Sequence, residues 1–216
     1  MGYIVAIDGP SGSGKSSVAK AVAQKLAFSY LDTGAMYRAA TWWCLDQGID
    51  LHDEAAVTAA VKAMPLEQST NPNSEKLKVA GTDITQAIRE PRISENVSTI
   101  ATNKSAREFL VQLQQDIVSH SQEGIVAEGR DITTVIAPQA QTRILLTASP
   151  EARMKRRGLE LNEKDTKDLE KQIIERDKKD SKAADFTTAA AGVTTIDSTD
   201  LTFDQTVDAV LQLVKQ

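Results

Sequence analysis

The stretch AIDGPSGSGKSS, residues 6–17, decides how the rest of the chain is read. Gly9 to Ser16 fits the phosphate-loop pattern G-x-x-x-x-G-K-S/T. Just before it, Tyr3-Ile4-Val5-Ala6-Ile7 is a short apolar run with β-branched residues. Asp8-Gly9-Pro10 ends that run, so it reads as a buried strand. After Lys15, apolar residues recur at Val18, Ala19, Val22, Ala23 and Leu26, the spacing of a helix. Strand, glycine loop and helix in that order form an anion site. Glycine lets the backbone approach an anion and adopt φ > 0, and the N–H groups of the loop and helix start then point at it. The residues expected to hold ATP are therefore Gly9, Pro10, Ser11, Gly12, Ser13, Gly14, Lys15, Ser16 and Ser17. Lys15 is expected to reach the β- and γ-phosphates, and the Ser16 hydroxyl to bind Mg²⁺.

The chain has 216 residues, enough for one large domain or one domain with insertions, and can bury a sizeable core. It is 41% hydrophobic and 25% charged, ordinary for a globular protein. No apolar run approaches a membrane span, and no basic-then-apolar leader opens the sequence. Cys44 is the only cysteine and follows Trp42-Trp43 in an apolar helical stretch, so it is read as packing, with a reducing cytoplasm as the expected location. The formal net charge of −5 argues against general nucleic-acid binding. Within this acidic chain, Arg153, Lys155, Arg156 and Arg157 form a basic cluster, which suits a small anionic ligand.

Candidate strands at 3–8, 28–32, 124–128, 143–147 and 193–197 alternate with helical patterns. This predicts an α/β fold, a parallel five-stranded sheet covered by helices on both faces. Ligands of such sheets bind outside the carboxyl ends of the strands, which directs attention to DGPSGSGK, DTGAMYR, EGRD, TASPEAR and DSTD. The gap between Asp32 and Gly124 is too long for one crossover. It is expected to hold helices near 34–47 and 53–64, a small β-meander across 65–88, and helices near 90–102 and 104–120. The domain reading is one kinase domain over 1–216, with an insert at about 38–110 and a lid at about 150–182, mobile pieces that exclude water.

The guanine-reading motif N-K-x-D is missing, since Asn103-Lys104 is followed by Ser105-Ala106. Glu128 ends a strand and is placed to orient a Mg²⁺ shell, with Arg130-Asp131 directly after it. Arg38 sits at the matching place after the second strand, and Arg38 and Arg130 together suit a bidentate grip on a phosphate.

Several segments, in order, resemble the bacterial cytidylate kinases, P-loop nucleoside monophosphate kinases: IDGPSGSGKSS, LDTGAMYRA, IREPRISENVSTIA, AREFLVQLQ, AEGRDITTVIAP, ILLTASPEARMKRR, ERDKKDS and IDSTDLT. DTGAMYR and GRDITTV are the specific ones. The resemblance implies phosphorylation of CMP and dCMP by ATP, in a monomer. It implies that Arg38 and Arg130 hold the α-phosphate of CMP, and that Ser98, Arg107 and Asp131 read the cytosine edge. Thr33 and Tyr37 then line the site, Arg176 and Asp180 face the ribose, and Arg153 and Arg157 clamp the ATP phosphates from the lid. The charge-stabilising set is Lys15, Arg38, Arg130, Arg153, Arg157 and Arg176.

Two departures stand against the family pattern. After Asp180 the family carries a further arginine, whereas this chain has Ala183 at the direct count and Lys182 beside it. Lysine neutralises charge but lacks the planar fork. FTTAAAG replaces a proline-containing stretch, which predicts a looser loop. Two other readings stay open on the residues: a P-loop kinase for another small acceptor such as UMP or shikimate, and a nucleotide-binding module without kinase activity. His52 and His120 lie away from every motif and are given no role.

Overall fold

The computed structural model describes residues 2–161 and 186–214. Its centre is β1 (Tyr3–Asp8), which pairs in parallel with β6 (Gly124–Gly129) on one side and β7 (Thr142–Thr147) on the other. β2 (Ser29–Asp32) extends the sheet beyond β6, and β8 (Thr194–Asp197) extends it beyond β7, giving the order β2-β6-β1-β7-β8 with every pairing parallel. The expected sheet is thus present, with strand ends within a residue or so of those read from the sequence.

Alternation along β1 sorts the core into two layers. Val5 and Ile7 face α1 (Lys15–Leu26) and α7 (Phe203–Leu213), where Val18, Val22, Ile144, Leu146, Val207 and Val210 join them. Ile4 and Ala6 face the other way, toward Leu31, Met36, Ile125, Ala127 and Ile132. Both faces of the central strands are buried, which is why those strands read as unbroken apolar runs.

The long gap after β2 builds a third core. α2 (Thr33–Asp46) leaves β2 without a loop, because Asp32 accepts from Ala35 N at 2.8 Å and caps the helix. α3 (Glu54–Ala63), the antiparallel sheet β3 (Leu66–Gln68), β4 (Leu77–Val79) and β5 (Thr82–Asp83), α4 (Pro91–Thr102) and α5 (Lys104–His120) follow. Ala39, Ala40, Cys44, Val57, Val61, Val79, Ile100 and Leu110 pack at its centre. Cys44 is therefore core, as its setting in the sequence suggested. The strap between β3 and β4 is tied back to the main sheet by Tyr30 N to Thr70 O (2.8 Å), Gln24 Nε2 to Pro72 O (3.1 Å) and Lys20 to Glu75 (3.0 Å).

Two features were not anticipated. A π-helical turn, Ile132–Ile136, follows β6, where the sequence reading placed no element. Phe186, at the head of the Ala/Thr-rich loop, is fully buried, and Arg143 Nη2 donates to Ala191 O at 3.1 Å, so the loop is tied at both ends. Of the expected lid, α6 (Pro150–Leu161) is described, and its remainder to 182 lies outside the described residues. Among the described residues no helix is long and apolar enough to cross a membrane.

Ile144 opposes Ile7 across β1 and β7 and is fully buried. Ile144→Ala is expected to lower unfolding free energy by about 2–5 kcal/mol, read as a lower urea midpoint with unchanged slope.

Candidate active site

The carboxyl ends of β1, β2 and β6 open onto one cavity of about 490 Å³. Its lining brings together residues from distant parts of the chain: Lys15 and Ser16, Thr33 with Tyr37 and Arg38, Arg107, and Glu128 to Asp131. The phosphate loop forms one wall. Gly12 and Gly14 have φ of 74° and 84°, and a Cβ on Gly9 would stand 2.2 Å from Leu146 O, so these positions demand glycine. Lys15 Nζ lies over the loop, 3.3 Å from Pro10 O. Other cations hold the loop's outer carbonyls: Arg130 Nη1 donates to Gly9 O (3.0 Å), Arg153 Nη1 to Ser11 O (2.9 Å) and Arg156 Nη1 to Ser13 O (3.2 Å). With its carbonyls taken by cations, the loop is left to offer N–H groups to an anion.

Two carboxylates flank this wall. Ser16 Oγ donates to Glu128 Oε1 at 2.6 Å. Burial, and then the neighbouring Asp32, push Glu128 up to about 7. Burial acts on Asp32 in the same sense, but Arg38 and the Ala35 N–H outweigh it and hold Asp32 below the usual carboxylate range. Arg38 Nη2 donates to Asp32 Oδ2 at 2.8 Å. Of the two acids, Asp32 is therefore the readier to ionise and Glu128 the one that holds its proton longer. Ser16 Oγ and Glu128, with Asp32 opposite Glu128 in the sheet, offer the oxygen chemistry that a hard divalent cation takes, and its charge would relieve the repulsion that raises Glu128.

The far wall carries the second constellation. Arg107 Nη2, from α5, donates to Asp131 Oδ2. Tyr37, near both, is pushed up chiefly by burial and then by Asp131. Ser98, on α4, is buried, but it does not itself line the cavity, which its helix neighbours Val97 and Ala101 reach. Thr33 Oγ1 donates to Glu128 O at 2.8 Å and fills the space that a Cβ on Gly129 would need, 2.4 Å away. The Arg130 guanidinium stacks on Phe186 at 4.1 Å from the ring centre.

Most expected site residues therefore converge. Arg153, expected to clamp the ATP phosphates from the lid, lies against the loop carbonyl of Ser11. Arg157 is on the same helix, but its side chain, and Arg176, Asp180, Lys182 and Ala183 entirely, lie outside the described residues. His52 and His120 are exposed and remote from the cavity. Four residues escaped the sequence reading as site elements: Asp8, Asp32, Arg156 and Phe186. Arg156 shares a helix face with Arg153 at i,i+3 and joins the phosphate loop to Ser198, donating to Ser198 Oγ (2.9 Å) and O (2.6 Å). That spacing was available in the sequence. Asp32 was signalled as an N-cap residue directly before a helix. Phe186 carried no local signal beyond being the lone aromatic of its segment.

A cytidylate kinase family model matches residues 5–216. A cytidylate kinase of Streptomyces avermitilis is 42% identical over 214 residues, covering 99% of this chain and 93% of that protein. One from Shouchella clausii is 41% identical over 220 residues, covering 100% and 97%. A bifunctional pantoate ligase/cytidylate kinase of Prochlorococcus marinus is 47% identical over 184 residues, 82% of this chain and 35% of that protein. Among solved structures, an uncharacterized protein from Eubacterium ventriosum aligns with a TM-score of 0.55 over 97% of this chain and 96% of its own, at 12% identity, a likeness of fold alone.

In the unfolded chain Glu128 ionises near its ordinary value of 4.5, in the folded chain near 7. Between those values the folded state binds more protons, so this group's contribution to stability falls as pH rises and is fully unfavourable above pH 7. Glu128→Gln is expected to be more stable than the parent in urea at pH 8 without nucleotide, and the advantage is expected to shrink as pH falls to 4.5. An advantage independent of pH would contradict the assignment.

Proposed function

The chain belongs to the cytidylate kinase family, and we propose that its cavity transfers the γ-phosphoryl group of ATP to CMP and dCMP, forming CDP and dCDP. The observation that carries this reading is the Arg107–Asp131 pair, which lines the same cavity as the phosphate loop, Arg38 and Arg130. The triphosphate lies on the loop's N–H groups with Lys15 on its outer phosphates. Arg38 and Arg130 take the acceptor's α-phosphate. Asp131 accepts from the cytosine amino group, and Arg107 serves the ring's acceptors, while Ser98 stands behind the lining residues Val97 and Ala101. Thr33 and Tyr37 bound the acceptor pocket, and the insert of about 38–110 supplies its roof.

An acceptor phosphate is already ionised, so the attack on phosphorus needs no general base. The chain's work is to align two phosphates and surround the transferring group with cations. Before nucleotide binds, Arg38 is held by Asp32 and Arg130 by Gly9 O and Phe186, so both start close to where they are used. Ser16 with Glu128, beside Asp32, would hold Mg²⁺, which would supply charge neutralisation on the phosphates. Arg153 and Arg156 steady the loop, and the roles of Arg157, Arg176, Asp180 and Lys182 stay those that the family resemblance implies.

Uracil reverses the donor pattern at the position of the cytosine amino group, and would leave the buried Asp131 facing an acceptor. ADP release from Mg-ATP, measured with CMP, dCMP, UMP, AMP and shikimate in turn, is expected to be strong with CMP and dCMP, weak with UMP and absent with the rest. Turnover confined to another acceptor, or ATP binding with no turnover at all, overturns the proposal. Arg38→Ala and Arg130→Ala are each expected to lower kcat/KM for CMP by roughly a hundredfold or more, as loss of a charge-assisted phosphate contact does.

A further inference from the structure

Asp131 precedes the π-helical turn Ile132–Ile136, yet its side chain makes no capping bond there. An aspartate at such a position ordinarily turns its carboxylate back onto the first N–H groups of its own turn. Here those groups are satisfied from another strand. Asp8, at the exit of β1 and only 4% exposed, accepts from Ile132 N (2.7 Å) through Oδ1, and from Thr133 N (2.9 Å) and Thr133 Oγ1 (2.6 Å) through Oδ2. The next residue, Gly9, takes Arg130 Nη1 on its carbonyl at 3.0 Å. Successive residues of β1's exit therefore grip the chain on both sides of Asp131. The Asp131 carboxylate goes instead to Arg107, on the cavity wall.

We infer that Asp8 is a positioning residue for the acceptor base: by capping the turn in place of Asp131, it keeps the Asp131 carboxylate on Arg107 and so sets the preference for cytosine over uracil. The inference rests on the reading of Asp131 and Arg107 as the base-recognising pair. Asp8 does not line the cavity, so it acts through Asp131 and not by contact with the acceptor. Asparagine at position 8 presents one oxygen and one NH₂ group, and a buried N–H of the turn then faces another donor. Asp131 is the nearest carboxylate in sequence to relieve that N–H, and doing so takes it off Arg107.

The test compares Asp8→Asn, Asp131→Asn and the double variant, with CMP and UMP as acceptors and with ATP varied separately. Asp8→Asn is expected to raise KM for CMP on the order of tenfold and to narrow the CMP-over-UMP ratio, with KM for ATP within about twofold. On the Asp131→Asn background it is expected to add little, because both changes remove one interaction. Thr133→Val, which removes a single donor to Asp8, is expected to act in the same direction more weakly, and decides the matter if Asp8→Asn does not fold. A crystal structure of Asp8→Asn is expected to show Asp131 turned toward Thr133 N. Equal rises in KM for ATP and CMP with an unchanged CMP-over-UMP ratio, or full additivity in the double variant, overturn the inference. If Asp131→Asn leaves KM for CMP unchanged, the base-recognition reading itself has failed, and the role of Asp8 falls with it.

Discussion

The parallel register of β1 against β6 sets Asp8 opposite Gly129, and the geometry of the site follows from that pairing. It places the start of the phosphate loop beside Arg130 and Asp131, which lie about 120 residues further along the chain. The same register puts the carboxyl end of β2, with Asp32 opposite Glu128, on the other flank. A slip of one residue would exchange Ile4 and Ala6 with Val5 and Ile7 between the two cores, so apolar burial on both faces fixes the register. The hydrophobic effect, which carries no chemical information of its own, thereby fixes the spacing between a phosphate loop and an acceptor wall.

On that frame the charged groups are arranged by mutual constraint. An acidic chain gathers Lys15, Arg38, Arg107, Arg130, Arg153 and Arg156 around the carboxyl edge of its sheet, and for each arginine except Arg107 the structure provides a backbone carbonyl, an aromatic face or a partly buried carboxylate. Arg107 is paired with Asp131, which the acceptor reading requires to remain partnered. Holding the cations in this way lowers the ordering cost when phosphates arrive. It also explains the unequal carboxylates: Asp32, bonded to an arginine and an N–H group, keeps its charge, while Glu128, with a serine hydroxyl and an acidic neighbour, gives its charge up near neutrality.

The sheet, the phosphate loop and the insert were legible because each rests on local pattern: β-branched apolar runs, a glycine motif, helical periodicity and turn residues in the meander. Arg38, Arg107, Arg130 and Asp131 were legible through their motifs and the family they resemble. Contacts that close over long sequence distance were not. Asp8 looked like the end of a strand, because nothing in residues 6–17 announces a partner at Ile132 and Thr133. The π-helical turn could not be read from ITTVI, whose β-branched residues fit a strand as well as a helix. Arg156 was passed over for its neighbours, although its spacing from Arg153 set both on one face, because which of several arginines meets a loop depends on how the helix docks.

The stacking of Arg130 on Phe186 changes the weight of the departure at Ala183. An arginine presents a face and an edge, and the two can be used at once. Phe186 occupies the face, Gly9 O takes one donor, and the guanidinium plane is thereby fixed from the phosphate loop on one side and from the C-terminal segment on the other. Phe186 lies three residues beyond Ala183 in the sequence, and its ring meets Arg130. A cation there would add charge to the transferring group. The ring adds none, but it restricts the rotamers of a cation already present, which lowers the entropy lost on binding phosphate. These contributions differ in their response to salt. Screening weakens the attraction of an exposed lid cation, while it leaves the packing of Phe186 against Arg130 nearly untouched. Shape as well as charge therefore fixes the Arg130 guanidinium where it lines the cavity.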